Sequence, residues 1–222
     1  MIISFSGLDG AGKSTQIRQL REYLGSRGVR VYRLKMYDVS LSTWFHEARE
    51  ALAGTRRSHG TGRSDATEEA GKDREALNFR QDKNHFSWTF FFLRMAVYVL
   101  DALSLRIKIG GIAKEYDVVI CDRFIYDSLV NLLALQNTSW VTAYVRAVLA
   151  LAPHPDLAVF LDVPPEDAFA RKPEYPLDYM RWRDDAYRTL FRMLAGKRTL
   201  YPRGDIGKTF SAIREAIDGL PR

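Results

Sequence analysis

The chain has 222 residues, 46% of them apolar, a formal charge of +6 and a single cysteine, Cys121. That length suits one α/β domain with room for an insertion, and one cysteine excludes an intramolecular disulfide. The positive balance fits phosphorylated small molecules, and no dense Lys/Arg run with interleaved aromatics argues for nucleic acid.

Met1 to Phe5 (MIISF) is a short apolar run that predicts a buried strand. Beginning at the first residue, it leaves no room for a leader peptide, so a soluble cytoplasmic protein is expected. Next comes GLDGAGKST, in which Gly7-x-x-x-x-Gly12-Lys13-Ser14 fits a phosphate-binding pattern. TQIRQLREYL then repeats Ile17, Leu20 and Leu24 at helical spacing. Strand, glycine loop and helix in that order form the context the motif requires. Glycines let backbone N–H groups turn inward, and the helix N-terminus adds partial positive charge. The expected nucleoside triphosphate site therefore comprises Gly7, Gly10, Ala11, Gly12, Lys13, Ser14 and Thr15. Lys13 would reach the β- and γ-phosphates, and the Ser14 hydroxyl would ligate Mg²⁺. Switches, motors and small-molecule kinases all use such a loop, so the motif alone does not name the reaction.

VRVYRLKM (29–36) reads as a second strand, and STWFHEAREAL (42–52) as a helix capped by Ser42. Residues 54–84 carry Gly, Ser, Thr and mixed charge with hardly a large apolar side chain, which predicts a mobile insertion. From about Phe86 one long helix is expected to end near Ile109-Gly110-Gly111. Its stretch WTFFFLRMAVYVL is too short to span a bilayer and carries Arg94, but its apolar surface would suit a homodimer face. DVVICDR (117–123) predicts a buried strand with Cys121 as a core thiol. Asp122 at its end is the candidate Mg²⁺ carboxylate, with Asp162 as runner-up. Arg123 follows, and a guanidinium grips phosphate bidentately. Helices are expected over 124–135 and 139–151, a strand over 156–163, and helices over PPEDAFAR and 176–194. RTLY and KTFSAIREAI close the chain as a short strand and a helix. The four histidines (His46, His59, His85, His154) show no metal-ligand spacing. Strands separated by helices imply a parallel sheet covered on both faces.

Three stretches together, GLDGAGKSTQ, CDRF and PDLAVFLDVPPEDAFAR (155–171), resemble the thymidylate kinase family, over most of the chain and in order. The resemblance implies a three-layer P-loop NTPase fold with five parallel strands, Mg²⁺-ATP as donor, dTMP as acceptor, and an arginine-bearing lid near 171–176. It implies that Asp9 contacts the acceptor's sugar hydroxyl, that Arg123 binds its phosphate, and that Phe90 and Arg94 stack on and hydrogen-bond the base. Gly10 stands where some members carry an arginine, which implies that Arg171 and Lys172 supply the lid cations instead. Such an arginine neutralises charge on the transferring group.

The likeness weakens on the acceptor side. KMYDVSLST lacks the family's Arg-containing Pro-Gly segment, with Lys35 its one nearby cation. The family's serine after CDRF falls on Asp127, or on Ser128 if shifted by one; a tyrosine is missing from LVNLLAL, and the lid RKPEYP is short. Another acceptor (a different nucleotide, a nucleoside or a phosphosugar) and a non-catalytic NTP-binding protein therefore stand as alternatives.

Overall fold

In the computed structural model, residues 1–36, 88–135, 138–194, 199–200 and 205–220 are described, apart from the side chains of 88–90 and 135. The helix expected over 42–52 and the insertion over 54–84 lie outside the described residues. The elements are β1 (Ile2–Ser6), α1 (Lys13–Gly25), β2 (Val31–Lys35), α2 (Trp88–Ile112), β3 (Val118–Asp122) and α3 (Ile125–Leu135). There follow α4 (Ser139–Leu151), β4 (Leu157–Phe160), α5 (Pro165–Arg171), α6 (Leu177–Met193), β5 (Thr199–Leu200) and α7 (Ile206–Asp218).

The five strands form one parallel sheet in the order β2-β3-β1-β4-β5. Val118 to Cys121 and Leu157 to Phe160 are buried at every position. A strand without a polar face must be covered on both sides, which is the condition of a parallel sheet between helices. α1 and α7 pack on each other against the sheet, while α2, α3, α4 and α6 pack among themselves. The chain crosses from β1 to one edge, returns through β3, and only then continues to β4 on the other side of β1. Ligands in such sheets bind where the strand order reverses, beyond the carboxyl ends of the strands. The register aligns those ends: Lys35 and Phe5 both stand opposite Asp122, and Ser6 opposite Phe160.

The largest packed cluster ties α6 to this end of the sheet. Phe160 stacks on Tyr187 at 5.4 Å and on Phe191 at 4.9 Å between ring centres. Aromatic burial of this kind contributes about 1.5–3 kcal/mol per side chain. On the other side, Ile17, Leu20 and Leu24 of α1 are buried, at the spacing the sequence sets. Asp205 caps α7 by accepting from the Lys208 amide at 2.7 Å.

Candidate active site

The glycine loop turns directly off β1. Gly7, Gly10 and Gly12 all have positive φ, and α1 begins at Lys13. Gly10 shows why the residue must be glycine. Its φ is +87°, and a Cβ built there would stand 2.3 Å from the carbonyl oxygen of Ala168 in α5. The loop and α5 therefore touch backbone to backbone, and a side chain at position 10 has no room. α5 ends in Arg171, so this contact brings the lid arginine to the loop.

A cavity of about 980 Å³ opens along the loop. Its wall includes Asp9 through Gln16, then Arg33, Lys35, Asp122 and Arg123, with Arg171 and Lys172 on the lid side and Asp205 to Gly207 on the α7 side. Of the residues expected at the site, Asp9, Gly10, Ala11, Gly12, Lys13, Ser14, Thr15, Asp122, Arg123 and Arg171 all line it. Gly7 does not line it, but its carbonyl accepts from Lys13, which does. Arg94 does not line the cavity; it is half-buried on α2. Phe90 lies on α2 with its side chain outside the described residues. Cys121 is core, and burial pushes its thiol up to about 12.

Lys13 is buried and donates to the Gly7 carbonyl at 2.8 Å and the Leu8 carbonyl at 2.7 Å. Burial is the main cause that lowers its pKa to about 8, and the neighbouring Arg123 adds to it. Its ammonium also stands 3.7 Å from Asp9 Oδ1. The same Asp9 oxygen accepts from Arg123 Nη2. Burial raises the Asp9 pKa, but Lys13 and Arg123 outweigh it and hold the carboxyl below its ordinary value. The two cations named at the sequence level thus meet across one carboxylate.

Arg123 has φ +67°, the left-handed region, although it is not glycine. That conformation costs about 1–2 kcal/mol and persists where the surroundings fix it. Here its amide donates to the Phe5 carbonyl at 3.1 Å, and Nη1 donates to Asp127 Oδ1 at 3.2 Å. Asp127 is buried and fully engaged. It also accepts from Ser6 Oγ at 2.9 Å, the Phe124 amide at 3.0 Å and the Tyr187 hydroxyl at 2.6 Å.

Both candidate metal carboxylates are ion-paired. Asp122 holds Arg33, and Asp162 holds Arg188. Only Asp122 lines the cavity with Ser14. One hydroxyl and one carboxylate on the same wall fit Mg²⁺, which takes few protein ligands and completes its shell with water and phosphate oxygens. Arg33 also shows that Lys35 is not alone on β2: both stand on one face of the strand, two residues apart, and both line the cavity.

Sequence reading passed over Arg183. On α6 it occupies the core-facing stripe with Met180, Tyr187, Leu190 and Phe191. A charge at an apolar position of a 3.6-residue period is the signal that marks it.

No family model matches the chain. Its sequence is similar to that of the probable thymidylate kinase of Pyrococcus horikoshii, with 28% identity over 174 residues, covering 76% of this chain and 68% of that one. The thymidylate kinase of Xanthomonas oryzae pv. oryzae is 29% identical over 172 residues, covering 77% of this chain. That match spans 60% of the Xanthomonas protein's length. Among solved structures, a deoxyadenosine kinase from M. mycoides, with dCMP and a flexible dCDP bound, aligns at a TM-score of 0.55. It is 14% identical, and the alignment covers 99% of this chain and all of that one. The chain therefore has the P-loop α/β fold and resembles thymidylate kinases in sequence.

Proposed function

We propose that this chain is an ATP-dependent phosphotransferase that moves the γ-phosphate of ATP to a nucleoside monophosphate, dTMP before others. One observation carries the reading: Lys13 and Arg123 share the Asp9 Oδ1 oxygen. A cation for the donor phosphate and a cation for the acceptor phosphate thus stand side by side. Bringing two phosphates in line at that distance supplies much of the catalysis in phosphoryl transfer.

In this reading the Lys13 ammonium leaves the Gly7 and Leu8 carbonyls for the β/γ-phosphate oxygens, joined by the loop amides of Gly10 to Thr15. Arg123 leaves Asp9 for the acceptor phosphate, and Asp9 is freed to accept from the sugar hydroxyl. Arg171, at the end of the lid helix, neutralises charge on the group in transit. Ser14 and Asp122 would hold Mg²⁺, which supplies charge neutralisation at the phosphates. Arg94 and Phe90 of α2 are the proposed base contacts. Residues 1–222 are taken as one domain with an insertion at 54–84 and a lid at 171–176, working in the cytoplasm as a homodimer paired through α2. Among the described residues no helix is long and apolar enough to cross a membrane.

A second reading rests on Arg123 itself. With Asp9 and Asp127 both on its guanidinium, it is neutralised. That arrangement suits an acceptor without phosphate, such as a deoxynucleoside. The test is ADP formation from ATP with dTMP, dUMP, UMP, CMP, AMP, GMP, thymidine and phosphosugars. Fastest turnover with dTMP supports the first reading. Turnover with thymidine alone would transfer the assignment to the second, and bound ATP without turnover on any acceptor would leave a non-catalytic binder.

A further inference from the structure

Arg183 is 9% exposed and pairs with no carboxylate among the described residues. Among the described residues its Nη2 donates to the Tyr187 hydroxyl at 3.3 Å, it also hydrogen-bonds the Tyr179 hydroxyl, and its Nε is buried without an acceptor. The guanidinium carbon lies 5.8 Å from the Tyr179 ring centre and 5.7 Å from that of Tyr187. Ring faces compensate a buried cation only in part. A buried guanidinium without a carboxylate partner costs stability. Its retention calls for a use.

The surroundings indicate one. Tyr187 passes the contact on to Asp127, which holds Arg123, which holds Asp9 beside Lys13. The charge of Arg183 acts on both Asp9 and Lys13. Among the described residues this connected cluster contains three cations (Lys13, Arg123, Arg183) and two carboxylates (Asp9, Asp127). Lys172 also faces Asp9 but belongs to an exposed pair with Glu174. Without Arg183 the two carboxylates would cancel Lys13 and Arg123, leaving, among the described residues, only the more exposed cations of the cavity wall, Lys35, Arg171 and Lys172, to favour a charged acceptor. With it, the buried cluster carries one positive charge in surroundings where screening is weak.

We propose that Arg183 is a specificity-determining residue that, acting through Tyr187 and Asp127 and through its charge, selects a phosphorylated acceptor over its unphosphorylated nucleoside. The inference rests on the monophosphate-kinase reading and sharpens it. A phosphate arriving at Arg123 displaces the Asp9 and Asp127 contacts. The excess charge of Arg183 compensates those carboxylates while Arg123 turns to the phosphate.

The test compares wild type with Arg183→Met and Arg183→Lys in the full chain. KM for dTMP, KM for ATP, the inhibition constant of thymidine against dTMP and the melting temperature with and without dTMP are measured. Arg183→Met is expected to raise KM for dTMP at least about tenfold, the scale on which one nearby charge shifts an ionic equilibrium. KM for ATP and the thymidine constant hold. Arg183→Lys keeps most of the dTMP affinity. Ligand-free Arg183→Met melts no lower than wild type but loses the dTMP-induced rise. Should Arg183→Met not fold, Arg183→Gln removes the charge while keeping polar reach. An unchanged KM for dTMP in a folded neutral variant overturns the inference. So does a lysine variant as impaired as the neutral one, or an equal change in the thymidine constant, because packing would then be the cause. Wild type that turns over no monophosphate removes the functional reading together with this one, and that result is read before any variant is made.

Discussion

The Lys13 ammonium spends two hydrogen bonds on carbonyls of its own loop and is buried, with its pKa lowered to about 8 from 10.5. Because the folded value lies below the unfolded one, the unfolded chain holds more protons between about pH 8 and 10.5. The stability cost of burying Lys13 is therefore fully present below pH 8 and lifts as pH rises through that window. Nucleotide binding runs the other way, since phosphate favours the charged form. ATP binding should take up a proton above about pH 8 and weaken as pH rises through 8, with little change between pH 6 and 7. Calorimetry in buffers of different ionisation enthalpy reads that proton directly. Lys13→Ala should abolish transfer in a folded protein and abolish this proton uptake; either one persisting would mean that Lys13 does not meet the phosphates. The loop residues were legible because G-x-x-x-x-G-K-[ST] is a local pattern between a strand and a helix. Arg183 and the engagement of Asp127 were not, because they depend on α6 returning to β1 and α3 from far along the chain.

At the scale of elements, α5 and α2 make the sharpest predictions. Gly10 lets α5 rest on the loop, with Ala168 against it. Gly10→Ala should cost at least about 1–2 kcal/mol from the left-handed backbone alone. It should also push α5 and Arg171 away from the cavity, so kcat should fall more than the melting temperature suggests. A variant with wild-type kcat and stability would show that the contact is dispensable. In α2, the exposed residues Leu93, Leu100 and Ile107 recur every seven positions, as do Ala96, Leu103 and Gly110. Ile107 is 77% exposed. This spacing matches the seam of a two-stranded coiled coil and would serve the proposed homodimer. An antiparallel two-fold pairing about its centre puts Leu93 against the partner's Gly110, Ala96 against the partner's Ile107, and Leu100 against the partner's Leu103. Large meets small at both ends, and such a self-complementary patch is what a two-fold dimer uses. Sedimentation should find a dimer that Ile107→Glu separates. Gly110→Leu should weaken it, and adding Leu93→Ala should restore it. A wild-type monomer, or no restoration, would rule out this register. The helix was legible from its apolar run, but which stripe faces outward needed the packing of Tyr98, Ala102, Leu105 and Ile109 into the core.

For the molecule as a whole, alternating apolar runs and helical periods marked the described strands and helices within a few residues, since buried parallel strands and amphipathic helices carry those patterns along the chain. β5 spans only Thr199–Leu200, too short for its pattern to define its ends. Strand order was not legible from pattern, and with it stayed hidden the Arg33–Asp122 pair, which exists because β2 lies beside β3 in one register. That topology gathers Lys13, Arg123, Asp122 and Arg171 at the carboxyl ends of the strands, where the account has a phosphate pass from one bound nucleotide to another. The most direct measurement is the fate of label from [γ-³²P]ATP incubated with dTMP and Mg²⁺, for wild type and Arg123→Ala in parallel. The account predicts label in the β-phosphate of dTDP with wild type, lost on chelation of Mg²⁺ and nearly lost in Arg123→Ala. Label appearing on thymidine but not on dTMP, or equal labelling of dTDP by Arg123→Ala, would contradict it.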